Sequence, residues 1–502
     1  MLLIHPPLAK ACEPPAGLAQ LAGALLAHGQ PCTLLDANLE GQLFLLGQPL
    51  TATDRWSVRA AKNQAANLTA LRSPGLYASP DRYRRAVADL DRLLWLSGKK
   101  RQLALSLANY QDQRLSPLKS ADLLAAAAAP EENIFYPYFA RRLAECLEAS
   151  PPPAVGISLN YLSQALPAFA LAGLLRKRYP GLPIVLGGGL VTSWLRSPTW
   201  QNPFRGLIDH LVAGPGEGPL LRLLGIEPGS QPARPSHAGL PLGDYLAPGL
   251  ILPYAASSGC YWNRCLFCPE KAEQNPYRPV PPARVLADLA GLISETRPTL
   301  IHLLDNAISP ALMRALAEQP PGVDWYGFAR ISPHLAEQEF CLALRASGCR
   351  LLKLGLESGD QQVLDAMDKG IDLALVEKAF ACLEKAGIAT YVYLLFGTPA
   401  ETLPAARRTL DFVAGHQSAI TFLNLAVFNM PIASPEAPLV QRTDFYEGDL
   451  SLYTDFIHPQ GWSRKEIRRF LDQEFKRHPA IAPILRRDPL LFTSNHAPFF
   501  CR

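Results

Sequence analysis

The sequence lacks any apolar run long enough to cross a membrane. Its longest apolar runs, such as residues 123–129, fall far short of the ~18–20 residues that a spanning helix needs. We do not expect the N-terminal segment to act as a secretory leader, because no basic segment precedes its apolar start and His5-Pro6-Pro7 interrupts that start at once. We therefore expect a cytoplasmic protein with no membrane partner.

An excess of charge of one sign is missing as well. The 48 Lys and Arg residues nearly balance the 44 Asp and Glu residues, which leaves a net charge of +4. Nucleic-acid-binding surfaces need a basic excess, so nucleic acid is not predicted as a partner. Hydrophobic residues make up 48% of the chain and charged residues 18%, which is enough apolar material for a large core and argues against disorder.

Strand and helix patterns alternate at the start of the chain and again after residue 150. Apolar strand patterns occur at residues 1–4, 33–36, 154–159, 184–186 and 210–213. Helical patterns such as residues 18–27 and 165–179 separate them, as in a parallel sheet with crossover helices. We predict that residues 1–226 form an N-terminal doubly wound, Rossmann-like α/β domain with a mostly helical insertion at about residues 49–150.

A second series of strands and helices begins after a proline-rich stretch, residues 227–249, which we interpret as a linker. Its strand patterns lie at residues 250–255, 300–304, 325–328, 351–356, 390–395 and 421–427. Six strand–helix units predict a complete or partial parallel (β/α)6 barrel over residues 250–435. Residues 436–502 are expected to form a small mixed region that shapes a substrate pocket or a lid.

Three of the ten cysteines are clustered directly after the first predicted barrel strand, where the active sites of such barrels lie. Thiolates from Cys260, Cys265 and Cys268 can hold three corners of one iron–sulfur cubane and leave the fourth iron open. Three alternatives remain. Structural zinc normally needs four ligands, and no second CxxC or nearby His pair supplies the fourth. An electron-transfer cluster needs a distant fourth cysteine, and the cysteines could also be close by coincidence.

With these cysteines, the chain resembles the radical S-adenosylmethionine superfamily, in the subgroup that carries an N-terminal cobalamin-binding-type domain. The resemblance covers residues 1–48 and 151–435. Its further motifs, most of them at the end of a predicted barrel strand, are LDN at 304–306, GFAR at 327–330, GLESG at 355–359, LDAMDKG at 364–370 and FGTPAET at 396–402. Four residues separate Cys260 from Cys265 where the superfamily usually has three, so the extra residue must bulge the loop.

The resemblance implies a 4Fe-4S cluster on the three cysteines and S-adenosylmethionine as a cofactor that yields a 5′-deoxyadenosyl radical. It implies that Asp305 binds the methionyl ammonium, Arg330 the cofactor carboxylate, and Glu357 and Ser358 the ribose hydroxyls, with Phe267 on the adenine side. Each polar residue has an ordinary alternative: a helix cap for Asp305, a solvated charge for Arg330, and a turn and cap for the Glu357-Ser358 pair. No catalytic residue is assigned.

The resemblance also implies cobalamin at the carboxyl edge of the N-terminal sheet. The candidate residues are Ser158, Gly187, Gly188 and Gly189, with 28 residues between Ser158 and Gly187. Glycines at this position let a ligand approach the backbone closely. The chain has no D-x-H-x-x-G motif, so no imidazole is expected below the cobalamin. The alternative is a strand-to-helix turn in a domain that has lost its cofactor.

The expected function is that of a cobalamin-dependent radical enzyme that methylates an unactivated carbon of a small molecule. The resemblance implies a low-potential ferredoxin or flavodoxin as the electron donor. Candidate substrate contacts are Tyr391, Tyr393, Asn495 and His496. One alternative is a radical rearrangement, cyclisation or oxidation without methyl transfer. Another is a protein that binds a metal or a partner without turnover.

Overall fold

The computed structural model describes residues 1–51, 53–148, 151–229, 232–443, 447–490 and 496–500. The chain divides into two compact units: the first contains residues 1–251 and the segment 447–452, and the second contains most of the remaining chain. Within the described ranges, every helix is too short or too polar to span a bilayer.

The first unit is built on a five-stranded parallel sheet. Across the sheet the strands follow the order Thr33–Asp36, Leu2–His5, Val155–Ser158, Ile184–Gly187 and His210–Leu211. Most of these strand residues are buried, as expected for a parallel sheet covered on its faces. The order reverses direction beside Leu2–His5, which makes a topological switch point between this strand and Val155–Ser158. The predicted doubly wound α/β fold is confirmed.

Helices connect these strands and form most of the insertion. The connecting helices are Ala16–Ala27, Ala37–Leu46, Leu162–Arg178, Gly189–Arg196 and Glu217–Leu223. The insertion contains Arg55–Leu71, Pro74–Tyr77, Pro80–Lys99, Ser120–Ala128 and Tyr136–Glu148, a 3-10 turn at Pro130–Glu132, and an unpredicted hairpin of Leu103–Leu105 with Tyr110–Asp112. The stretch predicted as a linker packs against this unit, where the buried Tyr245 donates to the carboxylate of Asp36 at 2.7 Å.

The second unit contains a six-stranded sheet whose strands follow one another in chain order. They are Ile251–Tyr254, Leu300–Leu303, Asp324–Ala329, Cys349–Glu357, Ala389–Phe396 and Phe422–Val427. The registers between the second and sixth strands are parallel. The first and sixth strands form the edges of the sheet and, over their described residues, do not pair with each other, so the barrel is open. Of the two predicted forms, the partial barrel is the one observed. We refer to these strands as the first to sixth barrel strands.

Amphipathic helices cover this sheet, and a mixed region follows it. The helices are Pro282–Thr296, Pro310–Glu318, Gln338–Ala346, Gln361–Ala366, Leu373–Ala386 and Leu403–Gly415. Their apolar faces join the strands in one core that includes Trp325, Phe380 and Phe396. Burial of each such side chain contributes about 1.5–3 kcal/mol.

The last part of the second unit is small and mixed, as expected. It comprises the antiparallel strands Met430–Pro431, Tyr453–Phe456 and Arg442–Thr443, the helices Arg464–Phe470 and Ala482–Arg487, a π-helical turn at Leu471–Phe475, and 3-10 turns at Ala437–Leu439 and Ala497–Phe500. Elsewhere in the unit are the short helix Pro269–Ala272 and a 3-10 turn at Pro333–Ala336.

Candidate functional site

The three cysteines lie on one loop that follows the first barrel strand. An antiparallel pairing of Ser257–Ser258 with Arg278–Pro279 frames the base of the loop. Beside it, Gly259 has a φ of +72°, and a Cβ at this position would lie 2.6 Å from the carbonyl oxygen of Pro276. Only glycine fits there, so the backbone shapes the loop directly before Cys260.

A left-handed turn accommodates the additional residue between Cys260 and Cys265. Asn263 has a φ of +46°, a conformation that asparagine adopts more readily than most residues. Trp262 anchors the turn, because its indole N–H donates to the carbonyl of Asp368 at 3.2 Å. Its ring also fills the space beside Gly370, where a Cβ would lie 2.1 Å from a ring atom. The longer loop is thus fixed to a distant part of the chain.

Burial governs the protonation of two of the thiols. It raises the pKa of Cys265, against the opposing positive charges of Lys369 and Arg330. It raises the pKa of Cys268 to about 11, although hydrogen bonds from the following helical turn lower it. At neutral pH these thiols are therefore protonated, and a bound metal or cluster has to displace their protons.

A single metal ion and an iron–sulfur cluster require different arrangements of their ligands. Among the residues that the structure describes, no group of three or more His, Cys, Asp or Glu side chains converges on a point where one metal ion could bind. In a cubane the cysteines do not converge on one point, because each cysteine binds its own iron at a separate corner. A cubane on the three cysteines of this loop stays a prediction.

Two residues after the second barrel strand hold the start of the cysteine loop. One carboxylate oxygen of Asp305 accepts from the N–H of Ala256 at 3.1 Å and the other from the hydroxyl of Ser257. Asn306 donates to the carbonyl of Gly259 at 3.2 Å. Asp305 is 2% exposed, and burial raises the pKa of its carboxyl group although these hydrogen bonds lower it. Asp305 thus supports the loop, and its contact with a methionyl ammonium stays a prediction.

Arg330 follows the third barrel strand and is buried beside the cysteine loop. Its guanidinium carbon lies 3.9 Å from the centre of the Trp262 ring, a cation–π contact. Its Nη2 donates to the carbonyl oxygens of Lys369 and Gly370. Within the described part of the chain, Nε and Nη1 make no hydrogen bond, so a planar fork of N–H groups stays available for a carboxylate.

Glu357 ends the fourth barrel strand in an unusual backbone conformation. Its φ is +67°, in the left-handed region that favours glycine, and the register with the next strand shifts here. Its carboxylate accepts from Nζ of Lys369 at 2.8 Å, and both side chains are nearly buried. Gly355 makes room for this ion pair, since a Cβ there would lie 2.5 Å from the carboxylate and 2.8 Å from the ammonium. Strained residues of this kind cluster at functional sites.

Ser358, the neighbour of Glu357, is turned into the fold. It is fully buried, and its hydroxyl lies 3.1 Å from the hydroxyl of Thr409 and accepts from the N–H of Asp360 at 3.1 Å. These contacts are those of the turn-and-cap alternative. A contact between Ser358 and a ribose hydroxyl stays a prediction.

Residues 367–370, for which no role was predicted, lie behind the cysteine loop. Their four consecutive carbonyl groups accept hydrogen bonds from the N–H of Leu266, the indole of Trp262 and, for the last two, Nη2 of Arg330. Phe267 also faces this segment, with Nζ of Lys369 5.4 Å from its ring centre. The LDAMDKG motif was the available signal, but its side chains do not reveal that backbone carbonyls make these bonds.

Three of the four predicted substrate contacts lie together in the second unit. The rings of Tyr391 and Tyr393 are 4.8 Å apart, and Tyr391 stacks on His496 with ring centres 4.6 Å apart. Tyr393 is half-buried and lies 5.0 Å from Phe328. Asn495 lies outside the described residues. A substrate contact for any of these residues stays a prediction.

A buried cation deeper on the fourth barrel strand was also missed. Lys353 is 3% exposed, with Nζ 3.3 Å from Nε2 of His302 and 4.8 Å from the ring centre of Phe328. The ring of His302 stacks on Tyr326 at 4.4 Å. A lysine inside an apolar strand pattern carries no signal of its neighbours on other strands, so the sequence could not reveal this group.

The candidate cobalamin residues lie at the carboxyl edge of the first unit's sheet. Asn160 bridges two of them: it donates to the hydroxyl of Ser158 at 3.1 Å and accepts from the N–H of Gly189 at 2.9 Å. Gly188 has a φ of +109°, and a Cβ there would lie 2.4 Å from the carbonyl oxygen of Leu159, so packing alone requires this glycine. At Gly187 and Gly189 the nearest atoms would be 3.5 and 3.8 Å from a Cβ, so packing does not require those two.

The switch point of this sheet holds one residue that sequence reasoning missed. His5 ends the strand Leu2–His5, is buried, and lies with Nε2 3.3 Å from the amide nitrogen of Gln164. Burial lowers the pKa of His5. Gln164 also donates to the carbonyl of Pro6 at 2.7 Å and accepts from the N–H groups of Asn160 and Tyr161, so it ties together the loops on both sides of the switch point. Ligands of open parallel sheets bind at such a crevice.

Comparisons with known proteins point to one fold. No family model matches the chain. It is 23% identical over 305 residues to an uncharacterized methyltransferase of Pyrococcus horikoshii, an alignment that covers 54% of this chain and 66% of the relative. The chain thus spans just under two thirds of the length of that relative.

Solved structures show the same fold over more of the chain. The radical S-adenosylmethionine methyltransferase TsrM from Kitasatospora setae, with cobalamin and a 4Fe-4S cluster bound, aligns with a TM-score of 0.53 at 17% identity over 88% of this chain and 74% of TsrM. Apo OxsB, a cobalamin-dependent S-adenosylmethionine radical enzyme, aligns with a TM-score of 0.51 at 15% identity over 67% of this chain and 60% of OxsB. The chain has the fold of cobalamin-dependent radical S-adenosylmethionine enzymes, which confirms at the level of the fold the resemblance found in its sequence.

Proposed function

We propose that the chain is a radical S-adenosylmethionine enzyme with a 4Fe-4S cluster on Cys260, Cys265 and Cys268. The observation that carries the proposal is that two buried cations, Arg330 and Lys369, back one loop with three cysteines at the carboxyl ends of barrel strands. Cations beside thiolates stabilise the negative charge that cluster binding creates. A structural zinc loop has no need of a buried guanidinium with open N–H groups.

The chain's own side chains fit the remaining tasks of this chemistry. When bound, the cluster would supply the electron that cleaves S-adenosylmethionine to methionine and the 5′-deoxyadenosyl radical. The open N–H groups of Arg330 fit the cofactor carboxylate. Glu357 presents a carboxylate that can accept from ribose hydroxyls, and Phe267 offers an apolar face for the adenine. Asp305 fixes the start of the loop from which the cysteines project.

We further propose that the first unit binds cobalamin, which when bound supplies a methyl group for transfer to an unactivated carbon of a small molecule. Support comes from the switch point beside His5 and from Gly187 and Gly189, which packing does not require to be glycine. TsrM has also been solved with its tryptophan substrate and an S-adenosylmethionine analogue. For this chain we propose a small-molecule substrate without naming it, and a ferredoxin or flavodoxin as the electron donor.

A second candidate keeps the radical chemistry without methyl transfer. It is favoured by Gly188, the one glycine of the triplet that the packing of Leu159 explains fully. In that case the first unit is a scaffold, and the reaction is a rearrangement, cyclisation or oxidation.

Anaerobic purification and reconstitution with iron and sulfide test these proposals. We expect about four irons per chain, an optical spectrum that includes cobalamin, and 5′-deoxyadenosine on reduction in the presence of S-adenosylmethionine. A substrate that gains the mass of one methylene unit supports methyl transfer. Protein that turns over fully without cobalamin would favour the second candidate, and protein that binds no iron would refute the radical enzyme.

A further inference from the structure

Lys369 occupies a junction between the cysteine loop and the fourth barrel strand. It is 6% exposed, and its Nζ is 2.8 Å from Oε1 of Glu357. The ammonium also lies 5.4 Å from the ring centre of Phe267, two residues after Cys265. One buried cation therefore contacts both the ribose candidate and the cysteine loop.

The backbone around Lys369 is held as firmly as its side chain. Its carbonyl oxygen accepts from Arg330, and its N–H donates to the carbonyl of Leu364 at 3.0 Å. The preceding residue, Asp368, has a φ of +50° and accepts from the indole of Trp262. A flexible lysine is thus fixed at its base, so that its ammonium has a defined position.

The ion pair fixes Glu357 in turn. Glu357 is the strained residue of the strand end, and a carboxylate there could adopt several rotamers without a partner. Gly355 leaves the space that the pair occupies, since any side chain at this position would collide with both charged groups. The sequence G-x-E at 355–357 and the lysine at 369 therefore form one structural unit.

We propose that Lys369 is a positioning residue that orients Glu357 toward the ribose of S-adenosylmethionine and places positive charge beside the cluster. The proposal rests on the proposed function. It predicts two separable effects of removing the charge. Weaker orientation of Glu357 lowers the affinity for S-adenosylmethionine, and the loss of a nearby cation makes the cluster harder to reduce.

The test uses the full reconstituted chain and two substitutions at the ion pair. Lys369→Met keeps the length of the side chain and removes the charge, whereas Gly355→Ala keeps both charges and displaces them. Lys369→Arg is the rescue variant, and Lys378→Met, at an exposed helical position, is the matched control. Iron and sulfide content show whether each variant still carries the cluster.

The readouts are the electron paramagnetic resonance of the reduced cluster with and without S-adenosylmethionine, and its midpoint potential. We expect Lys369→Met to retain iron, to need roughly 10–100-fold more S-adenosylmethionine for the spectral change, and to show a more negative potential. Gly355→Ala should weaken cofactor binding in the same direction, Lys369→Arg should restore much of it, and Lys378→Met should match the wild type.

Two outcomes in the variants would overturn the inference by itself. Lys369→Met with wild-type cofactor affinity and potential would remove the positioning role while leaving the radical enzyme intact. A Lys369→Met variant that has lost its iron, together with a Gly355→Ala variant that binds the cofactor normally, would reduce Lys369 to a structural residue. If the wild-type protein itself gives no cofactor-dependent spectral change, the proposed function falls, and the role of Lys369 falls with it.

Discussion

The carboxyl edges of the two parallel sheets differ in how they use polar groups. At the edge of the first unit, Asn160 and Gln164 close hydrogen bonds within the loops that they join. At the edge of the second unit, Arg330 keeps open donors, and Glu357 holds a strained conformation against a buried ammonium. The first edge is consistent with a preformed cradle, and the second with a charged site that a ligand completes. The difference favours the second edge as the place of the proposed radical chemistry.

The largest expected effect is the loss of the proposed cluster from the carboxyl edge of the second unit's sheet, which we call the charged edge. Cys265→Ala removes the buried cysteine of the triplet, and two remaining cysteines cannot hold a cubane. We expect no stable iron and no 5′-deoxyadenosine, with circular dichroism unchanged. Cys382→Ala, at a half-buried helical position, is the control and should keep its iron. A Cys265→Ala variant that keeps its full iron content would contradict the assignment of a cluster to this edge.

Removal of the charge of Glu357 tests whether this edge binds a ribose. Glu357→Gln keeps the shape and loses the negative charge and with it the ion pair to Lys369, so we expect roughly 10–100-fold weaker binding of S-adenosylmethionine with the iron content retained. Equilibrium titration followed by paramagnetic resonance measures it. Unchanged affinity would mean that the carboxylate serves only the fold.

Substitutions at two glycines distinguish a packing requirement from a ligand-binding requirement at the carboxyl edge of the first unit's sheet. Gly188→Ala places a methyl group against the backbone of Leu159 in a left-handed conformation, and should destabilise the first unit by about 1–3 kcal/mol in urea unfolding. Gly189→Ala has room for its methyl group and should keep that stability while lowering the bound cobalamin seen in the optical spectrum. Equal cobalamin in wild type and Gly189→Ala would argue for a scaffold without cofactor.

The last expected effect is a pH dependence of stability at the charged edge, which accumulates gradually with pH. Burial raises the pKa of Glu401 to about 8, although the N–H of Gly397 donates to its carboxyl group. Between the ordinary value of 4.5 and about 8, the unfolded chain releases this proton and the folded chain keeps it, so stability falls as pH rises. The slope is at most about 1.4 kcal/mol per pH unit.

Glu401→Gln isolates this contribution, because an amide does not titrate. Urea unfolding at a series of pH values should show a smaller loss of stability for Glu401→Gln than for wild type on going from acid to neutral pH. Parallel curves for the two proteins would show that Glu401 is ionised in the folded state.

The sequence was sufficient to predict the elements and their order, because apolar periodicity and turn residues determine them locally. The strand that ends at Asp36 was predicted with its observed bounds, and the fourth barrel strand was found although it extends to Cys349 and Glu357. The hairpin inside the insertion was missed because its strands are only three residues long.

The candidate site was predictable in its residue types and less so in its contacts. The motifs drew attention to Arg330 and Glu357, but not to the ion pair with Lys369 or to the carbonyls of residues 367–370, since these bonds join parts of the chain far apart in sequence. Every residue has a backbone carbonyl, so the sequence does not show which carbonyls accept these bonds. Ser358 illustrates the reverse case, in which a motif residue turns into the core.

The lengthened cysteine loop contains a tryptophan, Trp262, whose fluorescence should depend on whether a cluster is bound. Its indole is held against Gly370 and Arg330 within the loop that carries all three cysteines. An iron–sulfur cluster absorbs across the range of indole emission, so assembly of the cluster should quench the fluorescence of this side chain. The chain has seven tryptophans, so the emission of Trp262→Phe has to be subtracted from that of the wild type to isolate Trp262. This difference would follow assembly of the cluster on the loop in real time without a label.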